Sequence, residues 1–391
     1  MLVLDIGLQS NALDGSYTID PMKLIQIVPG LFPRVDGIGD YALQLARRLR
    51  EDHDIVTSFV VADPDWIGGD VEGFSAIKLR SRSPSSFLDA VNECDGDTQG
   101  DPSPILLQFS PYGYEKRGYP LWLQKTIEGW PKVSSSPIHV AYHELEVSGR
   151  PPWSSAFWVP PLQRNLIKRI TQVSAFQYTN CEDYRFKLEH AGSGRITLIP
   201  NFSTIGEPAV NPRFAERERN VVVFGRGAQR EMNYRFGMDA LLPLCKAVNA
   251  DRIIDIGAPI AGHAITELGG IPIVRCGRLD AEDVNKWMAT SIASFIAYPV
   301  PLLTKSSVHA VSCANGTIPF VFDHQAKELS CPGLVADEDF VSLRRHQETL
   351  NLPPLEELSA TVHRNYLKRD SHVAALTIAR HIFKNEVFAA R

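Results

Sequence analysis

Short apolar runs alternate with amphipathic stretches along most of the chain, beginning at residue 22. In the first half, the apolar runs predict strands at residues 24–28, 55–61, 105–109, 138–142, 175–178 and 196–199. The stretches between them have helical spacing and predict helices at residues 40–50, 85–94, 119–130, 161–171 and 181–190. Such alternation indicates βαβ units and a parallel sheet that is covered on both faces.

The alternation stops at residues 201–220, which contain Pro208, Pro212 and a run of charged side chains, as a linker does. It then resumes, with strands predicted at 221–224, 253–256, 271–274, 292–297 and 319–322, helices at 236–248, 281–289 and 306–314, and helical sequence from 350. We therefore predict an extension (1–21), a first Rossmann-like domain (22–205), a linker (206–220), a second such domain (221–370) and a terminal helix (371–391) that packs back on the first domain.

Composition narrows the class of protein. The 391 residues are 44% hydrophobic and 22% charged, which is typical of globular domains, and the net charge of −5 argues against a nucleic-acid-binding surface. No apolar run is long enough to span a membrane, and the N-terminus lacks the features of a secretory signal. The six cysteines are scattered, as in reduced proteins, so we expect a cytoplasmic location.

The first candidate site follows the first predicted strand. Gly37 and Gly39 allow close approach of a ligand to the backbone, and the helix predicted from Asp40 directs its free N–H groups toward it. The spacing G-x-G-x-x-A is a weak dinucleotide signal, and the glycines begin too far after Val28 for a nicotinamide or flavin site. A glycine-rich turn without a ligand remains the alternative.

The second candidate site is the pair His143 and Glu144, which follows the fourth strand of the first domain. At the carboxyl edge of a sheet, a neutral imidazole can donate to a sugar hydroxyl or a phosphate oxygen. Taken alone, a single histidine is more often a packed or exposed bystander. The aromatic and proline-rich loop 149–158 is either a rigid wall for a substrate or a cover for the core.

The third candidate site follows the first strand of the second domain. Gly225 opens space there, and Arg226 and Arg230 carry planar donors that suit phosphate. Two arginines in a predicted loop are equally compatible with ordinary solvated charge.

The fourth candidate site begins where the strand at 292–297 ends. Thr304, Ser306 and Ser307 are good helix caps, and Lys305 adds a positive charge beside the positive end of the following helix. These residues predict an anion site, with a capped helix and an unrelated lysine as the alternative.

Together, segments 37–49, 143–144, 224–226 and 314–321 resemble the family 4 glycosyltransferases of GT-B architecture, in which two Rossmann-like domains face each other across a cleft. The resemblance extends over nearly the whole chain from Met22. It implies that Gly37 and Gly39 approach the diphosphate of a nucleotide-sugar donor and that His143 touches the transferred sugar. It also implies that Arg226 and Arg230 provide cations to the diphosphate.

The chain departs from this family at the carboxylates that precede the turn into the strand at 319–322. The family carries E-x7-E, and the corresponding positions here are Thr304 and Ser312. Contacts to the donor nucleotide near Gly225, Thr304 and Ser312 must therefore differ, and the identity of the donor cannot be inherited. Lys305, Ser306 and Ser307 align with the glycine-containing helix start of the family, which keeps a phosphate site at that place.

The resemblance implies a retaining, metal-independent transfer from a nucleotide-diphosphate sugar, with no cofactor, to a sugar, a lipid-linked molecule or a small molecule. Asp95 and Asp97 form Asp-x-Asp, but they lie in a polar loop away from any strand end, so we predict no metal site. A nucleotide-binding protein without turnover, a sugar-nucleotide epimerase and, less favoured, an oxidoreductase remain alternatives. The arginines of the first helix either contact an anionic membrane or, as we favour, form a solvated surface: Arg47, Arg48 and Arg50.

Overall fold

The chain forms two seven-stranded sheets, each covered by helices. The computed structural model describes residues 22–34, 36–96, 102–146, 153, 157–194, 196–260, 265–325, 330–345 and 349–383. The predicted extension 1–21 and most of the aromatic loop 149–158 lie outside these residues. No helix in the described part of the chain combines the length and apolar character needed to cross a membrane.

The N-terminal domain is built on a wholly parallel sheet with the strand order β3-β2-β1-β4-β5-β6-β7. Its strands are β1 (Lys23–Val28), β2 (Val56–Val61), β3 (Ala76–Lys78), β4 (Ile105–Phe109), β5 (Ile138–Tyr142), β6 (Phe176–Thr179) and β7 (Ile196–Leu198). Its helices are α1 (Gly37–His53), α2 (Pro84–Asp95), α3 (Pro111–Tyr114), α4 (Leu121–Gly129), α5 (Pro160–Val173) and α6 (Glu182–His190). The central strands are buried on both faces, as their mostly apolar sequences predict.

The C-terminal domain repeats this arrangement with the order β10-β11-β9-β8-β12-β13-β14, in which the β10–β11 pair is antiparallel and the other named pairs are parallel. Its strands are β8 (Glu218–Phe224), β9 (Arg252–Ile256), β10 (Glu267–Leu268), β11 (Ile271–Gly277), β12 (Ser291–Ala297), β13 (Ile318–Phe322) and β14 (Val341–Leu343). Its helices are α7 (Gly227–Ala247), α8 (Ala281–Thr290), α9 (Ser307–Ala314), α10 (Leu355–Tyr366) and α11 (Ser371–Ile382). Short 3-10 turns lie at Trp130–Lys132, Phe214–Glu216 and Val300–Lys305.

Each sheet has a topological switch point, where the strand order reverses. In the N-terminal sheet it lies between β1 and β4, and in the C-terminal sheet between β8 and β12. Open parallel sheets bind ligands in the crevice beyond the carboxyl ends of such strands. The loops that follow β1, β5 and β8 carry the glycine, histidine and arginine residues selected from the sequence.

Helix α11 packs against α1 and so returns the end of the described chain to the N-terminal domain. Glu207, in the segment between the two sheets, ties these parts together through hydrogen bonds from Tyr366, Ser371, Gln44 and Arg48. The carboxylate thus joins the connecting segment to both terminal helices and to α1.

Two helices begin three or more residues earlier than the sequence predicts, and both shifts fall at candidate sites. Helix α1 begins at Gly37 rather than Asp40, and α7 begins at Gly227 rather than Phe236. The short elements β3, β10, β14 and α3 were not predicted, because two to four residues are too few to show a periodicity.

Candidate functional site

The N-terminus of α1 is capped by a side chain of its own chain. Asp36 accepts hydrogen bonds from the backbone N–H groups of Ile38, at 2.9 Å, and Gly39, at 3.1 Å. Those two donors are therefore occupied by a carboxylate, as at many helix N-termini. This corrects the expectation that α1 offers free N–H groups at Gly39 for a bound anion.

Gly39 serves the packing of the loop after β1. A Cβ atom at Gly39 would lie 2.3 Å from the carbonyl oxygen of Gly30, which is a backbone atom that cannot swing aside. At Gly37 the added Cβ would instead meet Nη2 of Arg226 at 2.9 Å, which is the end of a flexible side chain. The two glycines therefore have different roles. Gly39 allows the helix to pack closely against the backbone at Gly30, whereas Gly37 leaves room for the guanidinium of Arg226.

We expect Gly39→Ala to lower the free energy of unfolding by roughly 1–3 kcal/mol, because the backbone must shift to relieve the overpacking. Gly37→Ala is the matched control, since the guanidinium of Arg226 can move, and we expect it to leave stability nearly unchanged. Urea denaturation of the full chain measures both. Equal destabilisation by the two substitutions would contradict the steric role of Gly39.

Arg226 comes from the C-terminal domain and faces the N-terminus of α1 across the cleft. It is exposed and stands as the N-cap residue of α7, with its guanidinium next to Gly37. In the described part of the chain it has no hydrogen-bonding partner or ion pair, although the charge of Asp40 is near enough to interact with it. A guanidinium with free donors in a cleft is well suited to bind a phosphate group.

Asp40 adds an unusual carboxyl group beside Arg226. The pKa of Asp40 is raised to about 6, mainly by burial and secondly by the neighbouring carboxylate of Asp36, whereas Arg226 and Arg47 act in the opposite direction. The negative charge on this wall of the cleft therefore depends on pH in the range where proteins are ordinarily assayed.

Arg230 is turned into the C-terminal domain, although only one helical turn separates it from Arg226. Its side chain is 2% exposed and its Nε atom donates to Oδ1 of Asp255 at 2.6 Å, while Nη1 donates to the carbonyl oxygen of Ala258 at 2.6 Å. Asp255 is 1% exposed. This buried ion pair corrects the prediction that Arg230 offers its donors to a diphosphate, because Asp255 and the carbonyl oxygen of Ala258 already accept from them.

The start of α9 lies beside the loop that carries Arg226. Gly225 has φ +133°, and a Cβ atom there would lie 3.4 Å from Cγ2 of Val308 in the first turn of α9. Ser306 caps α9 by accepting a hydrogen bond from the N–H group of His309 at 3.1 Å. Ser307 is the first residue of α9 and is half-buried. Gly225, Ser306 and Ser307 thus share one region of the C-terminal domain.

Lys305 reaches across to the N-terminal domain. Its Nζ atom donates to the hydroxyl of Tyr184 at 2.5 Å and lies 4.2 Å from the centre of that ring. The backbone carbonyl oxygens of Thr304 and Lys305 accept hydrogen bonds from Asn201, so the turn before α9 is fastened to the segment that leaves the N-terminal sheet. Burial lowers the pKa of Lys305, against the opposing charge of Glu144.

The two positions that the sequence resemblance aligns with the family carboxylates are both buried. Thr304 is buried at the end of the 3-10 turn. Ser312 lies inside the domain, where its hydroxyl bonds to that of Ser294 at 2.8 Å and donates to the carbonyl oxygen of Val308. Neither position has an acidic side chain, so neither can hold a ribose in the way that a glutamate does.

His143 lies at the carboxyl end of β5, with its ring edge-on to Tyr41 at 4.8 Å between centroids. Its Nε2 atom is 2.8 Å from Oε1 of Gln108. Burial, with a smaller effect from Lys305, lowers the pKa of His143 to about 3. The adjacent Glu144 is exposed and accepts a hydrogen bond from Ser110 at 3.0 Å.

Contacts join these groups into one site. Tyr41 follows Asp40 in α1 and touches His143, while the charge of Lys305 acts on His143 and that of Glu144 acts on Lys305. The cleft therefore brings Arg226, the start of α1, His143 and Lys305 together, and it excludes Arg230.

Asp36 and two buried glutamines complete the site and were not selected from the sequence. Gln26 and Gln108 are both 0% exposed and lie on β1 and β4, at the switch point of the N-terminal sheet. The signal that could have found them is a polar residue inside an otherwise apolar strand, because such a residue needs buried partners.

Two other predictions concern the Asp-x-Asp segment and the arginines of the first helix. Asp95 accepts hydrogen bonds from Ser103 and Asp97 lies outside the described residues; within the described residues, no group of three acidic, histidine or cysteine side chains could hold a metal. The three arginines of α1 are occupied within the chain: Arg47 by Glu72, Arg48 by Glu51 and Glu207, and Arg50 against the ring of Phe74. Each of the three therefore has a partner within the described part of the chain.

The fold, but not the sequence, is similar to that of known proteins. No family model matches the chain, and no curated protein matches it in sequence. The structure of TarM has a TM-score of 0.60 with 10% identity, covering 94% of this chain and 99% of that one. The structure of Alr3699/HepE from Anabaena with UDP and glucose has a TM-score of 0.59 with 10% identity, covering 93% and 100%. An alpha-glucosyltransferase with UDP-glucose and DNA has a TM-score of 0.59 with 13% identity, covering 93% and 100%.

These similarities extend over nearly the full length of both chains. The sequence identities are too low to transfer substrates or residue roles. The chain therefore has the GT-B fold of two Rossmann-like domains that face each other across a cleft.

Proposed function

We propose that this chain is a glycosyltransferase that moves a sugar from a nucleotide-diphosphate sugar to an acceptor held by the N-terminal domain. The observation that carries the proposal is the exposed guanidinium of Arg226, which faces the N-terminus of α1 across the cleft and lies on the same site as His143. The resemblance to family 4 enzymes supports retention at the anomeric carbon and a departure of the diphosphate that needs no metal.

In this proposal, Arg226 stabilises the negative charge that grows on the leaving diphosphate. Lys305 would contribute a second cation after exchanging the hydroxyl of Tyr184 for a phosphate oxygen. His143 orients the transferred sugar, and Glu144 lies beside it at the edge of the cleft. No side chain is assigned as a nucleophile, because none has a geometry that identifies it.

The choice of donor probe follows from solved structures of the same fold. Alr3699/HepE was solved with UDP-glucose, with UDP and with UDP and glucose, and the alpha-glucosyltransferase was solved with UDP-glucose and DNA. UDP-glucose is therefore the first probe. The proposed acceptor is a sugar, a lipid-linked molecule or another small molecule, and not a nucleic acid, because the net charge of this chain is −5.

The proposal is tested by measuring the binding of UDP-, GDP-, ADP- and dTDP-linked sugars to the full chain by calorimetry. The donor that binds is then incubated with the chain, with and without candidate acceptors, and free or transferred sugar is measured. Binding of one donor together with its hydrolysis or transfer supports a glycosyltransferase. Failure of every nucleotide sugar to bind would refute the proposal.

A nucleotide-binding protein without turnover is the second candidate, because Thr304 and Ser312 provide no carboxylate for the donor ribose. It predicts donor binding with neither hydrolysis nor transfer. A sugar-nucleotide epimerase would instead convert the donor with no acceptor present. The same incubation therefore separates all three activities.

The affinity for UDP-glucose should depend on pH through Asp40. The pKa of about 6 means that the carboxyl of Asp40 gains a proton as the pH falls from about 7 to about 5, which removes a negative charge beside Arg226. We therefore expect the diphosphate to bind severalfold more tightly at the lower pH. Calorimetry at both pH values measures this, and Asp40→Asn should abolish the difference. A difference that persists in Asp40→Asn would show that another group titrates.

A further inference from the structure

Three buried side chains connect the core of the N-terminal sheet to the cleft. Nε2 of Gln26 donates to the backbone carbonyl oxygen of Ala42 at 3.2 Å, and Oε1 of Gln26 accepts from Nε2 of Gln108 at 2.7 Å. Oε1 of Gln108 is 2.8 Å from Nε2 of His143. This line of hydrogen bonds crosses strands β1, β4 and β5 at the switch point, and both glutamines are 0% exposed.

The direction of every hydrogen bond in this line follows from its end at the carbonyl oxygen of Ala42. A backbone carbonyl oxygen only accepts, so the atom of Gln26 that faces Ala42 must be its amide nitrogen. The oxygen of Gln26 then faces Gln108, which must present its own amide nitrogen. The oxygen of Gln108 therefore faces His143, whose Nε2 atom must carry a proton in order to donate.

The same line of hydrogen bonds leaves Nδ1 of His143 as an acceptor. Burial lowers the pKa of His143 to about 3, so the ring is neutral near pH 7 and carries a single N–H group. That group is at Nε2, and the lone pair is therefore at Nδ1. Within the described residues, Nδ1 has no hydrogen-bonding partner, and it is not among the nitrogen atoms sealed from solvent.

We propose that Gln26 and Gln108 are positioning residues that hold His143 as its Nε2–H tautomer, so that Nδ1 accepts a hydrogen bond from a hydroxyl group of the transferred sugar. This inference rests on the proposed function and specifies the substrate further. The transferred group must present a hydroxyl proton toward His143. A sugar with hydrogen or fluorine at that position, neither of which can donate, loses the contact.

The placement explains why two glutamines are kept inside strands that are otherwise apolar. Burying an amide is costly unless it is hydrogen-bonded, and here each glutamine uses one donor and one acceptor in a single line. A leucine at either position would leave the buried partners of that glutamine without a hydrogen bond. Leucine at Gln108 in particular would leave the protonated Nε2 of His143 without an acceptor, and the ring could then take either tautomer.

The first test uses nitrogen-15 NMR of the imidazole rings in the full chain without any donor. His143 is assigned from the signals that disappear in His143→Asn. We expect its Nε2 to be protonated and its Nδ1 unprotonated at about pH 7, and we expect Gln108→Leu to give a mixture of tautomers. A wild-type His143 that is protonated at Nδ1, or that is unchanged in Gln108→Leu, would overturn the inference.

The second test measures the affinity for UDP and for UDP-glucose by calorimetry, because their ratio isolates the contribution of the sugar. We expect Gln26→Leu and Gln108→Leu to lower the affinity for UDP-glucose, divided by that for UDP, by about tenfold relative to the wild type, while the affinity for UDP is retained. Gln177→Leu is the matched control: Gln177 is a buried strand glutamine in the same sheet that donates to the carbonyl oxygen of Thr171. It should leave the ratio unchanged.

The two tests also separate this inference from the proposed function. If UDP binds and Gln108→Leu leaves the ratio as in the wild type, the inference is wrong and the proposed function stands. If no nucleotide binds, the proposed function fails, and the NMR measurement still decides the tautomer. An equal loss in Gln177→Leu would assign the effect to general packing and would overturn the positioning role.

Discussion

Arg230→Ala is expected to lower the free energy of unfolding by roughly 3–5 kcal/mol, which is the cost of leaving one member of a buried ion pair alone. Asp255 is 1% exposed, and Oδ1 accepts from Nε of Arg230 at 2.6 Å. Removal of the guanidinium leaves this carboxylate inside the domain without its cation. Chemical denaturation of the full chain, followed by tryptophan fluorescence and circular dichroism, measures the loss.

The double variant Arg230→Met and Asp255→Leu is the control. Because both charges are gone, the domain no longer buries an unpaired ion, and we expect much of the lost stability to return. Arg230→Ala with wild-type stability would contradict the structural role of the pair. If a stable double variant fails to bind UDP-glucose, Arg230 contributes to donor binding after all.

Arg226→Ala is expected to weaken the binding of a nucleotide-diphosphate sugar by roughly 10- to 100-fold, which corresponds to the loss of hydrogen bonds to a charged group. The side chain is exposed and faces Gly37 across the cleft. Its removal leaves no buried group unpaired, so the free energy of unfolding should change by less than about 0.5 kcal/mol. Calorimetry with UDP-glucose and denaturation of the same preparation measure the two quantities.

Arg226→Lys distinguishes charge from geometry. A lysine keeps the positive charge but lacks the planar pair of donors that matches phosphate oxygens, so we expect an affinity between those of the wild type and Arg226→Ala. If Arg226→Ala binds UDP-glucose as tightly as the wild type, the diphosphate does not lie between Arg226 and the start of α1. The proposed function would then lose the observation on which it depends.

Much of the architecture could be predicted from local patterns. The strands at 105–109 and 138–142 coincide with β4 and β5, because a short apolar run between polar segments is a strong signal for a buried parallel strand. Helix starts were predicted less well. At α1 the glycines at positions 37 and 39 weakened the helical pattern, and at α7 the segment 227–235 lacks an apolar periodicity of its own.

The candidate site was predicted in part for the same reason. Gly37, His143, Arg226 and Lys305 were selected because they follow predicted strands, and the structure places all four along one cleft. The capping role of Asp36 was missed, because the start of α1 was predicted three residues too late. The sequence also contained no indication that Tyr184 would hold the ammonium group of Lys305.

The order of short apolar and amphipathic segments by itself determined two parallel α/β domains, because burial of apolar surface depends on a periodicity that is local in the chain. Only the tertiary structure decided what individual polar residues do. Arg226 and Arg230 look alike in sequence, yet Arg226 faces the cleft and Arg230 pairs with Asp255, which lies on β9. The tautomer of His143 likewise depends on glutamines from β1 and β4. Hydrogen bonds and ion pairs act over a few ångströms, so their partners are known only when distant segments have been brought together.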